Sequence, residues 1–168
     1  MWLENFTIIV DDYDRAIEFF TGALGFELAE DSPALSTRSG RAKRWVVVRP
    51  PGARTGVLLA QADGPQQAGA VGNQVAGRVG FFLRVDDFDA AFERMKGAGV
   101  EFVGGPRTEP YGRVVVFLDV AGNKWDLLGP ALSLGHRLRH GRHVRLGGGP
   151  QRTRAQRGAE QLADQRTV

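Results

Sequence analysis

The chain contains one short segment twice. Residues 10–18 read VDDYDRAIE and residues 85–93 read VDDFDAAFE, so a valine, three aspartates, an aromatic residue, an alanine and a glutamate recur in one order. The offset between the copies is 75 residues up to position 23, and one extra residue, Leu24, reduces it to 74. A repeat on this scale predicts two copies of one supersecondary unit, and therefore internal pseudo-two-fold symmetry.

Each copy predicts the order β-α-β-β-β. A strand ends in aspartates that suit a helix N-terminus, an apolar helical stripe follows, and Gly25 or Gly99 stands where a left-handed residue ends a helix. Further strands are predicted from the apolar runs at 45–48, 56–61, 113–117 and 124–128. We therefore predict an α+β fold of two tandem βαβββ modules, residues 1–62 and 78–130, within one domain that ends at residue 130.

Composition limits the chemistry and the cellular setting. The 168 residues are 42% hydrophobic, which is enough for one core, and they include no cysteine, which excludes disulfides and thiolate metal sites. No apolar run approaches the roughly 20 residues of a membrane span, and no secretory leader is visible at Met1. We expect a cytoplasmic protein without a membrane partner.

Charge is distributed unevenly along the chain. Residues 131–168 carry eight arginines against two acidic residues, whereas residues 1–130 carry 14 lysines and arginines against 17 aspartates and glutamates. The mildly acidic first part has no basic stripe, so we expect no nucleic-acid partner for it. The arginine-rich segment has few large apolar residues, which predicts a disordered tail. An anion-binding role is the alternative for that segment.

Several motifs resemble those of a known family. The strand that runs into Val-x-Asp-aromatic, the helix exit Leu24-Gly25-Phe26 and the turn Phe117-x-Asp119-x-x-Gly122-Asn123 are similar to the vicinal oxygen chelate superfamily. That superfamily includes glyoxalase I, bleomycin-resistance proteins and extradiol dioxygenases. The resemblance covers residues 2–130. It implies that each module curls a mixed sheet into a half-barrel, with the helix on the convex face and ligands on the concave face, but it selects no single activity.

Strand alternation assigns side chains to the two faces of each predicted sheet. In the first strand Phe6, Ile8 and Val10 should lie under the helix, which leaves Asn5 and Thr7 on the concave face. The other side chains predicted to face the cavity are Arg78, Gly80, Phe82, Arg84, Lys124, Asp126 and Leu128 in module two, and Val57, Leu59 and Gln61 in module one.

A metal site is not expected. The resemblance implies four ligand positions, two in each module, which fall on Asn5, Leu59 (or Gln61), Gly80 and Asp126. Only Asp126 is a usual metal ligand, and no histidine precedes His136. We therefore predict no metal and no cofactor, with a site shared between two subunits as the alternative.

The remaining candidates predict a small-molecule cavity with aromatic and polar walls. The ligand-binding candidates are Asn5, Thr7, Trp45, Gln61, Arg78, Phe82, Tyr111 and Arg113, and the catalytic candidate is Asp126. Each has a structural alternative: Trp45 as core, the arginines as solvated groups, and Tyr111 as part of a turn. An inward carboxylate needs a partner or a raised pKa, and Arg78 or Arg113 is the predicted partner of Asp126.

Two functions of different classes are consistent with these candidates. The first is a metal-free binding or sequestering protein, of the bleomycin-resistance type, for a small planar organic ligand. The alternative is a glyoxalase- or dioxygenase-type enzyme that uses Asp126 as a base or a metal ligand. Open sheet edges favour a homodimer, as the resemblance also implies. The linker at 62–77 is long enough to lie over the site.

Overall fold

The structure is a computed structural model that describes residues 1–131. Its elements are β1 (Asn5–Val10), α1 (Tyr13–Glu18), a π-helix (Phe19–Ala23), β2 (Glu27–Leu35), β3 (Ala42–Arg49), β4 (Gly56–Gln61), α2 (Pro65–Ala68), β5 (Val79–Arg84), α3 (Phe88–Gly97), β6 (Phe102–Glu109), β7 (Gly112–Leu118) and β8 (Lys124–Leu128). Apart from the short α2 in the linker, this is the predicted βαβββ order, found twice. None of the helices in the described part is long and apolar enough to cross a membrane. The predicted disordered tail lies outside the described residues.

The two modules form sheets of identical topology. The strand orders are β1-β4-β3-β2 and β5-β8-β7-β6, in which the first two strands of each sheet pair in parallel and the others pair in antiparallel fashion. Phe6 lies opposite Val57 in one sheet, and Phe81 lies opposite Trp125 in the other. The repeat therefore encodes the internal symmetry that it predicts.

Aspartates start both long helices, as predicted. Asp12 Oδ1 accepts a hydrogen bond from the Arg15 backbone N–H at 2.8 Å, and Asp87 Oδ1 accepts one from the Ala90 N–H at 2.9 Å. Such caps satisfy amide groups that the first helical turn leaves without partners.

The extra residue in module one is absorbed by a π-turn. The Leu24 N–H donates to the Phe19 carbonyl, five residues back, within the π-helix. Just beyond it the Phe26 N–H donates to the Phe20 carbonyl, and the Val100 N–H donates to the Met95 carbonyl at the matching place in module two. The same bond thus spans six residues in one module and five in the other. A single π-turn adds this one residue without displacing the next strand.

Both modules contribute to a single core. The Phe20 ring packs against Phe26 at 5.6 Å and against Trp125 of module two at 5.9 Å between centroids. Phe6 stacks on Phe81 at 5.4 Å. The Arg94 guanidinium in α3 donates to the Leu24 carbonyl at 3.3 Å, just after the π-helix. The core sides of the two sheets therefore lie against each other with the helices.

We call the opposite face of each sheet its open face. It corresponds to the predicted concave face, with corrections in β4 and, at Arg113, in β7. Val57 and Leu59 are buried in the core, so Leu58 and Ala60 lie on the open face instead. The prediction was wrong because β4 is apolar at both alternating sets of positions, and its sequence does not distinguish the faces.

Candidate functional site

One row of side chains crosses the open face of module two. Strand register places Val103 opposite Val116, Val116 opposite Asp126, and Asp126 opposite Phe82. Residues directly opposite each other in a sheet share a face. Phe82 is 63% exposed. Asp126 is therefore a carboxylate between two apolar neighbours.

The Asp126 carboxyl is only partly solvated and forms no ion pair within residues 1–131. Its Oδ1 atom is buried and accepts no hydrogen bond from that part of the chain. Burial raises the pKa of Asp126 above its ordinary value, and the nearby Arg107 lowers the pKa by a smaller amount. The predicted pairing with Arg78 or Arg113 is wrong: Arg78 is exposed ahead of β5, and Arg113 lies on the other face.

Replacing Asp126 by asparagine should stabilise the protein at pH 7. Because the folded-state pKa is raised, this carboxyl favours folding at low pH, and that contribution is lost as the pH rises through the folded-state pKa. The advantage of Asp126→Asn over wild type should therefore shrink as the pH falls toward the ordinary value of 3.8. Thermal unfolding of both proteins between pH 4 and 8 measures this. Asp86→Asn, at an exposed site of the same module, is the control for the change from aspartate to asparagine. An advantage that does not change with pH would contradict the prediction.

Unpaired polar atoms concentrate on the open face. Among residues 1–131, the buried side-chain atoms without a hydrogen-bond partner are Asn5 Oδ1, Arg49 Nε and Asp126 Oδ1. Alternation along each strand puts Asn5 and Arg49 on the open face of module one and Asp126 on the open face of module two, because their neighbours Phe6, Val48 and Trp125 lie on the core side. Buried polar atoms are normally paired, so the open faces of the two modules are where side-chain polar atoms of this part of the chain stay unpaired. Sequence reasoning included Asn5 and Asp126 but missed Arg49.

The three aromatic residues predicted to bind a ligand all have exposed side chains. Trp45 is 38% exposed on the open face of β3, so it is not ordinary core. Tyr111 is 57% exposed in the tight turn between β6 and β7. Together with Phe82 they offer ring faces for stacking. Thr7 is exposed on the open face of β1.

Arg113 has a structural role on the core side of module two. Its guanidinium lies 4.3 Å from the centre of the Phe88 ring and pairs with Asp89 of α3. The predicted cavity-facing position was wrong because β7 is apolar on both faces, like β4. Gln61 also departs from its prediction, since its Nε2 donates to the Asp11 carbonyl at 2.9 Å, at the start of α1.

The linker packs on the sheets rather than standing free. The Gln74 side chain bonds to the free edge of β1, to the Ile9 N–H at 2.8 Å and the Thr7 carbonyl at 2.6 Å. Val75 covers Gly80, where an added Cβ would lie 2.7 Å from a valine methyl group. The open face of module two is thus closed at Gly80 and accessible at Phe82.

Sequence comparison places this architecture in a family. Residues 2–127 match the Glyoxalase/Bleomycin resistance protein/Dioxygenase superfamily. The chain belongs to that superfamily. An uncharacterized relative of this superfamily member, from Shewanella frigidimarina, is 45% identical over 125 residues, which cover 74% of this chain and 90% of that protein.

Solved structures are similar to this superfamily member over the same region. The antibiotic binding protein TnmS3 from Streptomyces sp. CB03234 is 31% identical, with a TM-score of 0.63 over 78% of this chain and 97% of that chain. A glyoxalase/bleomycin resistance protein from the same strain is also 31% identical, with a TM-score of 0.58 over 76% of this chain and 99% of that chain.

The metal positions implied by the superfamily resemblance do not fit a metal here. With β4 corrected they fall on Asn5, Leu58, Gly80 and Asp126. Leu58 has no donor atom, and Val75 fills the space at Gly80. The part of the chain that the structure describes holds no group of three or more His, Cys, Asp or Glu side chains able to bind a metal. One carboxylate and one amide are too few donors for a transition metal.

Proposed function

We propose that this protein binds a planar organic compound of modest size on its open face and holds it without chemical change. The observation that carries the proposal is that each module has an exposed ring beside unpaired polar atoms on its own open face, Trp45 with Asn5 and Arg49 in module one and Phe82 with Asp126 in module two. Trp45 and Phe82 supply stacking surfaces, and Asn5, Arg49 and Asp126 supply hydrogen-bonding groups. Stacking with a few directed hydrogen bonds is sufficient for micromolar affinity, about 8 kcal/mol, without a coordination bond.

Two further points support binding over catalysis. TnmS3, which is similar to this chain over most of its length, is an antibiotic binding protein. The donor set at the implied metal positions is also inadequate for the metal chemistry of enzymes in the superfamily. The ligand class that we propose is correspondingly an extended conjugated molecule with both donor and acceptor groups.

We also propose that two copies pair across their open faces. A large apolar side chain exposed beside partly buried polar atoms is typical of a surface that is covered in use. Phe82 and Tyr111 are more than half exposed in the single chain. A second copy would bring the module-one face of one chain toward the module-two face of the other, and so enclose a ligand on both sides.

Binding should survive removal of metal ions and should depend on the exposed rings, Trp45 and Phe82 on the open faces and Tyr111 in the turn between β6 and β7. We would titrate naphthoate, acridine and flavone by calorimetry, with and without EDTA, and expect micromolar binding of at least one compound in both conditions. Trp45→Ala, Phe82→Ala and Tyr111→Ala should each weaken binding by about 1–3 kcal/mol, because each removes a large stacking face. Phe19→Leu, on the core side of the sheet, is the matched control.

The contrary outcomes of this experiment are distinct. Loss of binding in EDTA would mean that a metal holds the ligand. Sedimentation of the same sample should show a dimer, and a monomer at tens of micromolar would contradict the proposed pairing. The calorimetry tests ligand binding independently of that result.

One observation favours catalysis as the second candidate. A partly buried carboxyl with a raised pKa is a suitable general base. Asp126→Asn separates the two functions, since a binder should lose little affinity because the amide still forms hydrogen bonds, whereas an enzyme should lose about 10²–10⁴ in rate. Mass spectrometry of the panel after incubation detects turnover. Glyoxalase or ring-cleaving activity that appears on adding Ni²⁺, Zn²⁺ or Fe²⁺ would refute the metal-free proposal.

A further inference from the structure

The two modules differ most clearly at one strand pair. The β7–β8 register runs from Leu118 opposite Lys124 to Val114 opposite Leu128, and the Gly129 N–H then donates to the Arg113 carbonyl at 2.9 Å. The β3–β4 register stops earlier, at Val46 opposite Leu59. Trp45 and Ala60 are the counterparts of Val114 and Leu128, and they are not paired. The strands of module one therefore separate where those of module two stay together.

A hydroxyl group occupies the place of the missing strand bond. Tyr13 Oη donates to the Arg44 carbonyl at 3.0 Å and lies 3.4 Å from the Arg44 N–H, which donates to it. The counterpart of the Arg44 carbonyl is the Arg113 carbonyl, which accepts the Gly129 N–H. The Tyr13 hydroxyl thus provides a hydrogen-bond partner for the backbone of Arg44 in β3, at the point where β4 no longer pairs with that strand.

The surroundings of these two aromatic residues are otherwise alike. The Arg44 guanidinium lies 5.3 Å from the centre of the Tyr13 ring and pairs with Asp14, as Arg113 lies over Phe88 and pairs with Asp89. Position 88, which corresponds to Tyr13, is phenylalanine and has no hydroxyl. The hydroxyl group is therefore present in module one, where β3 and β4 separate, and absent in module two, where β7 and β8 stay paired.

The separation opens a cleft of about 150 Å³. Its apolar walls include the Trp45 ring, Leu58 and Ala60, and the cationic side chains of Arg38 and Lys43 also line it. At the corresponding place in module two Val114 is fully buried. A cavity of roughly this size accommodates a single six-membered ring.

The charged side chains that line the cleft are three cations, Arg38, Lys43 and Arg44, and one carboxylate, Asp63. Arg44 is engaged by Asp14 and Asp31. The Asp63 carboxylate accepts hydrogen bonds from Ser39 Oγ at 2.6 Å and Ser36 Oγ at 2.7 Å, and these bonds lower its pKa. Within residues 1–131, neither Arg38 nor Lys43 forms an ion pair, and Arg38 acts on the Asp63 carboxylate only at longer range, so both cations can meet an anionic group.

We propose that this cleft is a binding site for a single aromatic ring that carries a carboxylate or another acidic substituent, and that the Tyr13 hydroxyl keeps the site open. The ring lies against Trp45, and the acidic group meets Lys43 and Arg38. The inference rests on the proposed function and deepens it, because it assigns the charge and size of the ligand portion that module one receives.

Fluorine NMR titration of 4-fluorobenzoate and its neutral analogue 4-fluorobenzamide tests the site. Wild type should prefer the benzoate by about tenfold or more, since a direct ion pair distinguishes the two probes. Tyr13→Phe should weaken benzoate binding by about tenfold, because the Arg44 carbonyl is then free to pair with the Gln61 N–H and close the strands. Slower amide exchange at Gln61 in this variant is an independent readout of closure.

A second variant leaves the strands untouched. Lys43→Met should reduce the preference for benzoate over benzamide, whereas the exposed Lys96→Met should leave it unchanged. Equal binding of the two probes to wild type, or benzoate binding unchanged in Tyr13→Phe, would overturn the inference. If naphthoate, acridine or flavone binds but 4-fluorobenzoate does not, the proposed cleft site is wrong and the proposed function still holds. Failure of both sets of compounds refutes the proposed function and the cleft together.

Discussion

Replacing Asp119 with alanine is expected to lower the free energy of unfolding by about 3–5 kcal/mol, a large part of the usual total for a domain. The buried carboxylate accepts hydrogen bonds from the N–H groups of Ala121, Gly122 and Asn123 at 2.9–3.0 Å. It also accepts from Asn123 Nδ2 and Trp125 Nε1, both at 3.0 Å. Alanine leaves these donors without partners in the interior. Urea unfolding followed by circular dichroism measures the loss.

The conservative variant and a distant aspartate sharpen the test. Asp119→Asn keeps an acceptor for the backbone N–H groups but sets an NH₂ group against the Trp125 donor, so its loss should be intermediate. Asp86→Ala, at an exposed site, should change stability by less than about 0.5 kcal/mol. If Asp119→Ala costs no more than Asp86→Ala, the carboxylate does not organise this turn.

Phe20→Ala should cost about 3–5 kcal/mol and should destabilise both modules together. The side chain is fully buried, and its ring contacts Phe26 in module one and Trp125 in module two. Removing it leaves a cavity at the junction of the two sheets, which neighbouring side chains fill only in part. Urea unfolding should show one transition by circular dichroism and tryptophan fluorescence, shifted to lower urea.

The counterpart of Phe20 in module two supplies the comparison. Met95 is also fully buried, and Met95→Ala should cost about 2–5 kcal/mol within the same single transition. Two separated transitions in either variant would show that the modules unfold independently. That result would contradict a shared core, whatever the size of the loss.

The repeat in the sequence was sufficient to predict the element order, the helix caps and the internal symmetry. These features depend on local chemistry, such as the Asp12 and Asp87 caps, which acts within a few residues. The family resemblance added the two-sheet architecture, which the structure and the comparisons confirm. The location of the open face in β1 and β8 was also predictable from alternation, because Asn5 and Asp126 interrupt apolar runs there.

Faces could not be predicted where a strand is apolar on both sides. In β4 and β7 the alternation carries no polar signal, so Leu59 and Arg113 were assigned to the wrong face. Burial of the open-face valine Val114 depends on its cross-strand neighbours, which lie far away in sequence. Arg49 was missed for a different reason: it ends a valine run ahead of Pro50 and reads as a solvated strand end. Counting alternation one residue forward from Val48 would have placed it on the open face of module one, which also carries Asn5.

The π-helix bears on how a chain of two related units tolerates changes of length. One residue inserted into a paired strand sends every later side chain of that strand to the opposite face. The insertion at Leu24 has no such effect, because the helix widens by one residue and Phe26 still meets Phe20 as Val100 meets Met95. The last helical turn therefore accommodates a change in chain length without a shift of the next strand. If both modules descend from one ancestral unit, module one could gain a residue at this point and still keep the same core packing as module two.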